Sequence, residues 1–262
     1  AALPLAIAAI TLNALSRRLG KLNKMARSRF DNPLMQLLYT NKVDNIAAIE
    51  LAMLMNQAEF NAVLANPSQL QLPTWANGAT EGFLFPETYV FDTEPTAVQI
   101  LSDMTAHFNT VADQIDFVAK AEALGVSPYD AVTIASIIER ETRDPVYGPD
   151  IAQVIYNRLA QGMPLQMDST VGYAVNSQGG TVTTTDEERA NPSPYNTYVH
   201  PGLPPGPICS PGLACLKAAA NPEQHDYIYF VARGEDGSHV FSTNLAAHNK
   251  AVREYWAKRR GK

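Results

Sequence analysis

At 262 residues the chain is long enough to bury a sizeable core, as one large domain or two modest ones. Hydrophobic residues make up 46% and charged residues 18%, with no polar low-complexity tract, which excludes a disordered polymer. A formal net charge of −6 and a pI near 5.4 exclude a basic nucleic-acid surface and leave an uncharged polymer open as a ligand.

The first stretch, AALPLAIAAITLNAL, is apolar but shorter than the roughly 20 residues that a spanning helix needs. SRRLGKLNKMARSR follows it and no basic run precedes it, so it reads as neither a complete anchor nor a secretory signal. An amphipathic or buried helix is expected there, with a trimmed anchor as the alternative. Helical patterns continue to about residue 65, including NIAAIELAMLMNQAEFNAVLA. NPSQLQLPTWANGAT then breaks the periodicity with Pro, Gly and Asn and reads as a loop or boundary.

EGFLFPETYVF is short, aromatic and interrupted by proline, which suits an edge strand or an ordered loop. Two helices follow, over roughly 95–123 and 127–143, the second opened by Ser127-Pro128 with Asp130 in its first turn. GPDIAQVIYNRLAQG is a further helix that ends at a C-capping glycine. A long polar connection spans about 164–208, a helix covers Pro211 to Ala220, and YIYFVA and SHVFS form a hairpin around RGEDG. The last helix covers about 244–259.

The helix containing TIASIIERET (Thr133–Thr142) carries the most information. At about 100° per residue, Ala131, Val132, Ile134, Ala135, Ile137 and Ile138 share one broad apolar arc, with Thr133, Ser136 and Arg140 outside it. Glu139 projects between Ala135 and Val132, and Glu141 between Ile134 and Ile137, so both acids sit on flanks of that arc. A carboxylate against an apolar wall is desolvated, which favours its neutral form, as a general acid near neutral pH requires. The competing reading is that each Glu snorkels or pairs with a distant base, and periodicity does not choose between the two acids.

Cys209 and Cys215 flank the expected start of a helix at Ser210-Pro211, positions that approach each other as in a hydrophobic staple. A disulfide fits that geometry, and two small buried hydrophobes are the alternative. Metal binding is not indicated, because the five histidines form no short-spaced pair and no Cys-x-x-Cys occurs.

EGFLFPETYVF, ASIIERET, VIYNRLAQGMPLQMDSTVGYA, SPYNTYVHPGLPPGPICSPGLACLKAAANP and YIYFVARGEDGSHVFSTNLAAHNKAVREY occur in the order found in the YceG-like family, the endolytic murein transglycosylases of bacteria. Five segments in register make the resemblance specific, and it covers roughly residues 45–258. It implies a predominantly helical α+β catalytic domain over 45–262, with its core at about 80–258, short strands and a C-terminal hairpin. Residues 1–44 then form an atypical helical N-terminal segment, an anchor remnant being one reading. The family's members typically carry a cytoplasmic tail, a complete membrane-spanning helix and a LysM-like module ahead of the catalytic region, and residues 1–44 resemble neither the full anchor nor that module. The cysteine pair also stands at positions that relatives do not usually fill with cysteine.

The resemblance places the catalytic acid/base at Glu139 and makes Glu141 and Asn157 supporting residues. It implies a glycan cleft to which Gln166 and Asp168 of LQMDST and Tyr195, Asn196 and Tyr198 of SPYNTY contribute, with Glu81 as a further lining residue. Tyr195 and Tyr198 suit stacking on pyranose faces; alternatively, Tyr and Asn here simply hold a Pro-rich loop together. For Glu81 and Glu87, capping of neighbouring backbone competes with a place in the cleft. His239, Phe241, Asn244 and His248 are left out of the catalytic set.

A lytic transglycosylase protonates the glycosidic oxygen after N-acetylmuramic acid while the sugar's own C6 hydroxyl attacks C1. Intramolecular attack of this kind reaches effective molarities of roughly 10⁵ M or more, so one carboxyl suffices. A hydrolase would need a second carboxyl, about 5–5.5 Å away for retention or about 6.5–9.5 Å for inversion. Asp168 and Glu81 are the candidates for it, and a non-catalytic cell-wall-binding scaffold is the reading from another class. The implied partners are peptidoglycan glycan strands and the synthases of the elongation machinery, with no cofactor and no nucleic acid. The implied location is the extracytoplasmic, periplasmic face of the inner membrane.

Overall fold

The computed structural model describes residues 57–89, 91, 95–175, 184–233 and 237–260. The readings for residues 1–56 and for the Asp236 side of the hairpin turn lie outside the described residues. Among the described residues no helix is long and apolar enough to cross a membrane.

Helix α1 (Gln57–Ala65) turns Phe60 and Val63 inward, onto a small core shared with Leu70, Leu84, Ile100, Leu101 and Met104. Helix α2 (Ala97–Gln114) starts at a capping box, in which Thr96 accepts from the Gln99 N–H while the Gln99 side chain accepts from the Thr96 N–H. Sequence periodicity carries this helix on to 123, but it stops at Gln114 and α3 (Phe117–Ala123) begins after Asp116, whose φ is 54°. Ile115 and Phe117 would point to opposite sides of a continuous helix. With Asp116 in the left-handed region, which Asp tolerates better than most residues, both are buried.

Helix α4 (Pro128–Glu141) is the centre of the larger core. Ser127 caps it by accepting from the Asp130 N–H at 3.1 Å, and Pro128 occupies the first helical position. Residues 131–138 are buried on every side, including Thr133 and Ser136, which the apolar arc leaves outside. Their hydroxyls are satisfied within the helix, Thr133 donating to the Tyr129 carbonyl and Ser136 to the Thr133 carbonyl. Ser136 Oγ also accepts from the Ile208 N–H at 3.0 Å. The segment 206–212 therefore covers the face that helical periodicity assigns to solvent.

Helix α5 (Gly148–Ala160) packs beside α4, and α8 (Leu213–Ala220) lies against both. A Cβ on Gly148 would stand 3.1 Å from Ala218 Cβ, so the small residues of these two helices permit the close approach. Between them runs the long connection, which holds two helices that its polarity hides, α6 (Asp168–Ala174) and the single turn α7 (Asp186–Arg189). Its two limbs are zipped together: the Gln166 N–H donates to the Thr197 carbonyl and the Met167 N–H to Thr197 Oγ1, both at 3.0 Å.

Strands β1 (Tyr229–Ala232) and β2 (His239–Ser242) pair antiparallel, with Tyr229 opposite Ser242, and α9 (Leu245–Arg260) packs on them. The buried Arg158 guanidinium of α5 fixes this hairpin, donating to the carbonyls of Ile228, Pro164 and Leu165. The outcome is the expected α+β fold, mostly helical, with a small sheet.

Candidate active site

Glu139 lies near the C-terminal end of α4, half-buried, where three chain segments meet. The Gly212 N–H at the start of α8 donates to Glu139 Oε2 at 3.2 Å. A Cβ on Gly212 would be 3.7 Å from that oxygen and 3.9 Å from Pro86 Cγ, which places Pro86 of the 81–89 loop beside the same carboxylate. Glu139 Oε1 makes no hydrogen bond with the described residues, so one oxygen is held and the other is available.

Glu141 turns to the other flank of α4, where its Oε1 accepts from the Ser169 N–H in the first turn of α6 at 3.3 Å. Desolvation raises the pKa of this carboxyl, and the nearby Asp168 adds to the rise. The residue ties α4 to α6.

Asp168 opens α6 and receives its donors on one oxygen. Thr184 Oγ1 and the Tyr198 hydroxyl donate to its Oδ1 at 2.6 and 2.7 Å, and Arg189 Nε lies 3.5 Å away. The Arg189 guanidinium also covers the Tyr198 ring, its carbon 5.3 Å from the ring centroid, within the roughly 6 Å reach of a cation–π contact. Gln166 is exposed and has φ 51°, a left-handed conformation that is uncommon for a residue with a side chain.

A fourth carboxyl, Glu81 of the 81–89 loop, stands near the Tyr129 end of α4. Glu81 Oε2 accepts from the Tyr173 hydroxyl at 2.6 Å, and burial pushes the Glu81 pKa up to about 7. The Tyr173 ring lies 4.7 Å from that of Tyr195. Burial and the adjacent Glu81 raise the Tyr173 phenol further, so Tyr173 is the proton donor of the pair.

A family model, the YceG-like family, matches residues 11–254. The chain belongs to the YceG-like family. It is 39% identical over 176 residues to an endolytic murein transglycosylase of Bacillus subtilis (strain 168), which covers 67% of this chain and 48% of that relative. An endolytic murein transglycosylase of Streptococcus pneumoniae (strain D39) is 32% identical over 201 residues, covering 74% of this chain and 36% of that protein. The chain thus spans less than half the length of these curated relatives. The crystal structure of a yceG-like protein, lmo1499, from Listeria monocytogenes superposes with a TM-score of 0.63 at 32% identity, over 82% of this chain and 73% of that one.

Within this YceG-like domain the residues singled out by sequence divide into two groups. Glu139, Asp168, Gln166, Glu81, Tyr195 and Tyr198 keep at least part of their surface. Asn196 does not: it is fully buried, its amide nitrogen donates to the carbonyls of Arg189 and Asn191, and its Oδ1 accepts from the Tyr198 N–H. The expectation that Asn196 contacts a sugar is corrected, because every polar atom it has shapes the loop that carries Tyr195 and Tyr198. Asn157 is likewise structural, donating to the His225 and Tyr227 carbonyls where the hairpin begins.

The disulfide is also corrected. Cys209 and Cys215 are both buried thiols. The helix starts at Leu213, with Gly212 rather than Ser210 as its N-cap, so the staple geometry is not formed. Instead the Cys209 thiol points at α4 and donates to the Ser136 carbonyl at 3.3 Å. Of the residues left out of the catalytic set, Asn244 Oδ1 accepts from the Ala247 N–H in the first turn of α9, and His248 stacks on Tyr229.

Sequence reasoning missed Tyr129, Tyr173, Thr184 and Arg189. Tyr173 stands inside a motif already quoted, whereas Arg189 gives no local signal, since only the folded connection brings it to Asp168.

Proposed function

We propose that this chain is the catalytic region of an endolytic peptidoglycan lytic transglycosylase, with Glu139 as its general acid and base. The observation that carries the reading is the placement of Glu139. It joins three motif segments, one oxygen is fixed by the Gly212 N–H and the other has no hydrogen-bond partner among the described residues. A reactive carboxyl needs orientation together with reach to the scissile oxygen. Glu141, drawn under α6 and bonded to Ser169, lacks that reach.

In the proposed reaction the protonated Glu139 gives its proton to the β-1,4 oxygen that joins N-acetylmuramic acid to N-acetylglucosamine. The C1–O bond breaks, and the N-acetylglucosamine side leaves with its C4 hydroxyl restored. The C6 hydroxyl of the muramyl residue attacks C1, and the Glu139 carboxylate takes the hydroxyl proton, which closes the 1,6-anhydro ring and regenerates the acid. Asp168, held from one side by Thr184, Tyr198 and Arg189, supplies a fixed negative charge that stabilises oxocarbenium character at C1. Gln166 and Tyr198 line the glycan strand. The strand is nascent peptidoglycan at the extracytoplasmic face of the inner membrane, in the company of the peptidoglycan synthases.

Digestion of purified sacculi in ¹⁸O-labelled water tests this reading. The lyase leaves anhydromuramyl ends without label. Labelled reducing ends would replace it with hydrolysis through a second carboxyl, and intact glycan with retained binding would replace it with a scaffold.

A further inference from the structure

The hydroxyls of Tyr129 and Tyr195 meet at the backbone of Gly206, and the Tyr173 hydroxyl, hydrogen-bonded to that of Tyr195, connects them to the Glu81 carboxyl. A Cβ at Gly206 would collide with the Tyr129 hydroxyl and stand 3.6 Å from that of Tyr195, so glycine keeps open a space that any side chain would fill. The Tyr129 ring is braced by Phe83 at 6.1 Å in a stacked arrangement, and the Tyr195 ring by Tyr173. Only part of this polarity is used inside the protein. Tyr173 bonds Glu81 Oε2, whereas Glu81 Oε1 and the Tyr129 hydroxyl make no hydrogen bond with the described residues, and neither is a sealed, orphaned atom.

We propose that the Glu81, Tyr129, Tyr173 and Tyr195 cluster around Gly206 is a saccharide subsite that takes one uncharged N-acetylhexosamine of the strand, remote from the bond being cut. Braced aromatic rings with a few convergent, unspent polar groups are the design of a sugar pocket. Tyr129 precedes Glu139 by ten residues on α4, which puts the subsite about 15 Å along the helix from the acid. The segment 206–212 links the two places directly, Gly206 at Tyr129 and Gly212 at Glu139. Desolvation selects the sugar: the burial that disfavours charge on Glu81 equally disfavours a lactyl or stem-peptide carboxylate placed beside it, and a neutral unit meets no such cost. The Glu81 and Tyr129 groups are placed to bond its N-acetyl or hydroxyl oxygens.

The inference rests on the transglycosylase reading, and its test separates the two. Binding of peptide-free glycan oligomers of increasing length is measured by calorimetry on Glu139→Gln protein, which cannot turn them over. Affinity is expected to step up once the oligomer is long enough to reach the cluster. Adding Glu81→Gln or Tyr129→Phe should remove about tenfold of that step. Thermal unfolding of each double variant checks that it is folded, and ¹³C-labelled tyrosine resonances of the single variant should shift only with the longer oligomers. An undiminished step in both folded double variants, or no length-dependent shift, overturns the subsite alone. Wild-type protein that leaves sacculi uncut, together with no binding at any length, overturns the parent reading and the subsite with it.

Discussion

Glu81 shows how one side chain's environment becomes a property of the folded protein. Burial pushes the pKa of its carboxyl up to about 7, whereas an unfolded chain releases that proton near 4.5. Between those two values the folded state holds a proton that the unfolded state has lost, so stability falls as pH rises through this window. The full effect is on the order of 3 kcal/mol and is complete above pH 7. Glu81→Gln keeps an acceptor for Tyr173 and removes the titration. Urea unfolding at pH 5 and pH 8 should therefore show a smaller loss in the variant than in the parent; an equal loss would mean that Glu81 is solvated in the fold. Asp168 depends on its neighbours in another way. Removing the guanidinium with Arg189→Ala loosens the Asp168 and Tyr198 pair on a half-exposed surface, which costs stability about 1 kcal/mol or less. Under the proposed mechanism turnover should drop more than that figure implies, with a larger change in kcat than in KM, because Asp168 loses its fixed position.

At the scale of elements, the site is held by contacts between segments far apart in sequence. Gly82 has φ 91°, and a Cβ there would stand 2.5 Å from Pro207 Cγ, so Gly82→Ala forces a left-handed alanine and a clash at once. A loss of about 2–4 kcal/mol is expected in denaturant unfolding, with activity impaired because Pro86 and Gly212 lie in the displaced segments. Arg158→Met would leave the carbonyls of Pro164, Leu165 and Ile228 without their donor and should destabilise by about 3 kcal/mol or more. A melt unchanged in either variant would contradict these roles. The same contacts explain what the sequence made legible. Helix α4 could be read from Ser127-Pro128 and its apolar spacing, because caps and periodicity are local. The burial of Ser136 could not, since its cover comes from Ile208 and Cys209, 72 and 73 residues on. The pairing of Glu81 with Tyr173 spans 92 residues and leaves no trace in either segment alone. The break at Asp116 was hidden because an aspartate in the left-handed region lacks the warning that a glycine gives.

Across the whole molecule, the fold brings two tracks alongside α4. Residues 81–86 and 206–212 both run from the Tyr129 end to Glu139, and Gly82 and Pro207 pack against each other between. On the opposite flank α6 runs from Glu141 back to Glu81, through Ser169 and Tyr173. The carboxyls thus occupy distinct stations alongside α4: Glu139 with an oxygen that no described residue bonds, Glu141 bonded to Ser169 of α6, and Glu81, carried by the 81–89 loop, bonded to Tyr173. This division of labour makes a direct comparison decisive. Initial rates of anhydromuramyl-end formation from sacculi, followed by mass spectrometry, should fall by at least about a thousandfold in Glu139→Gln, since the amide cannot donate the proton. In Glu141→Gln the loss should be less than about tenfold. Retained rate in the first variant, or abolition in the second alone, would contradict the assignment of Glu139 as the acid.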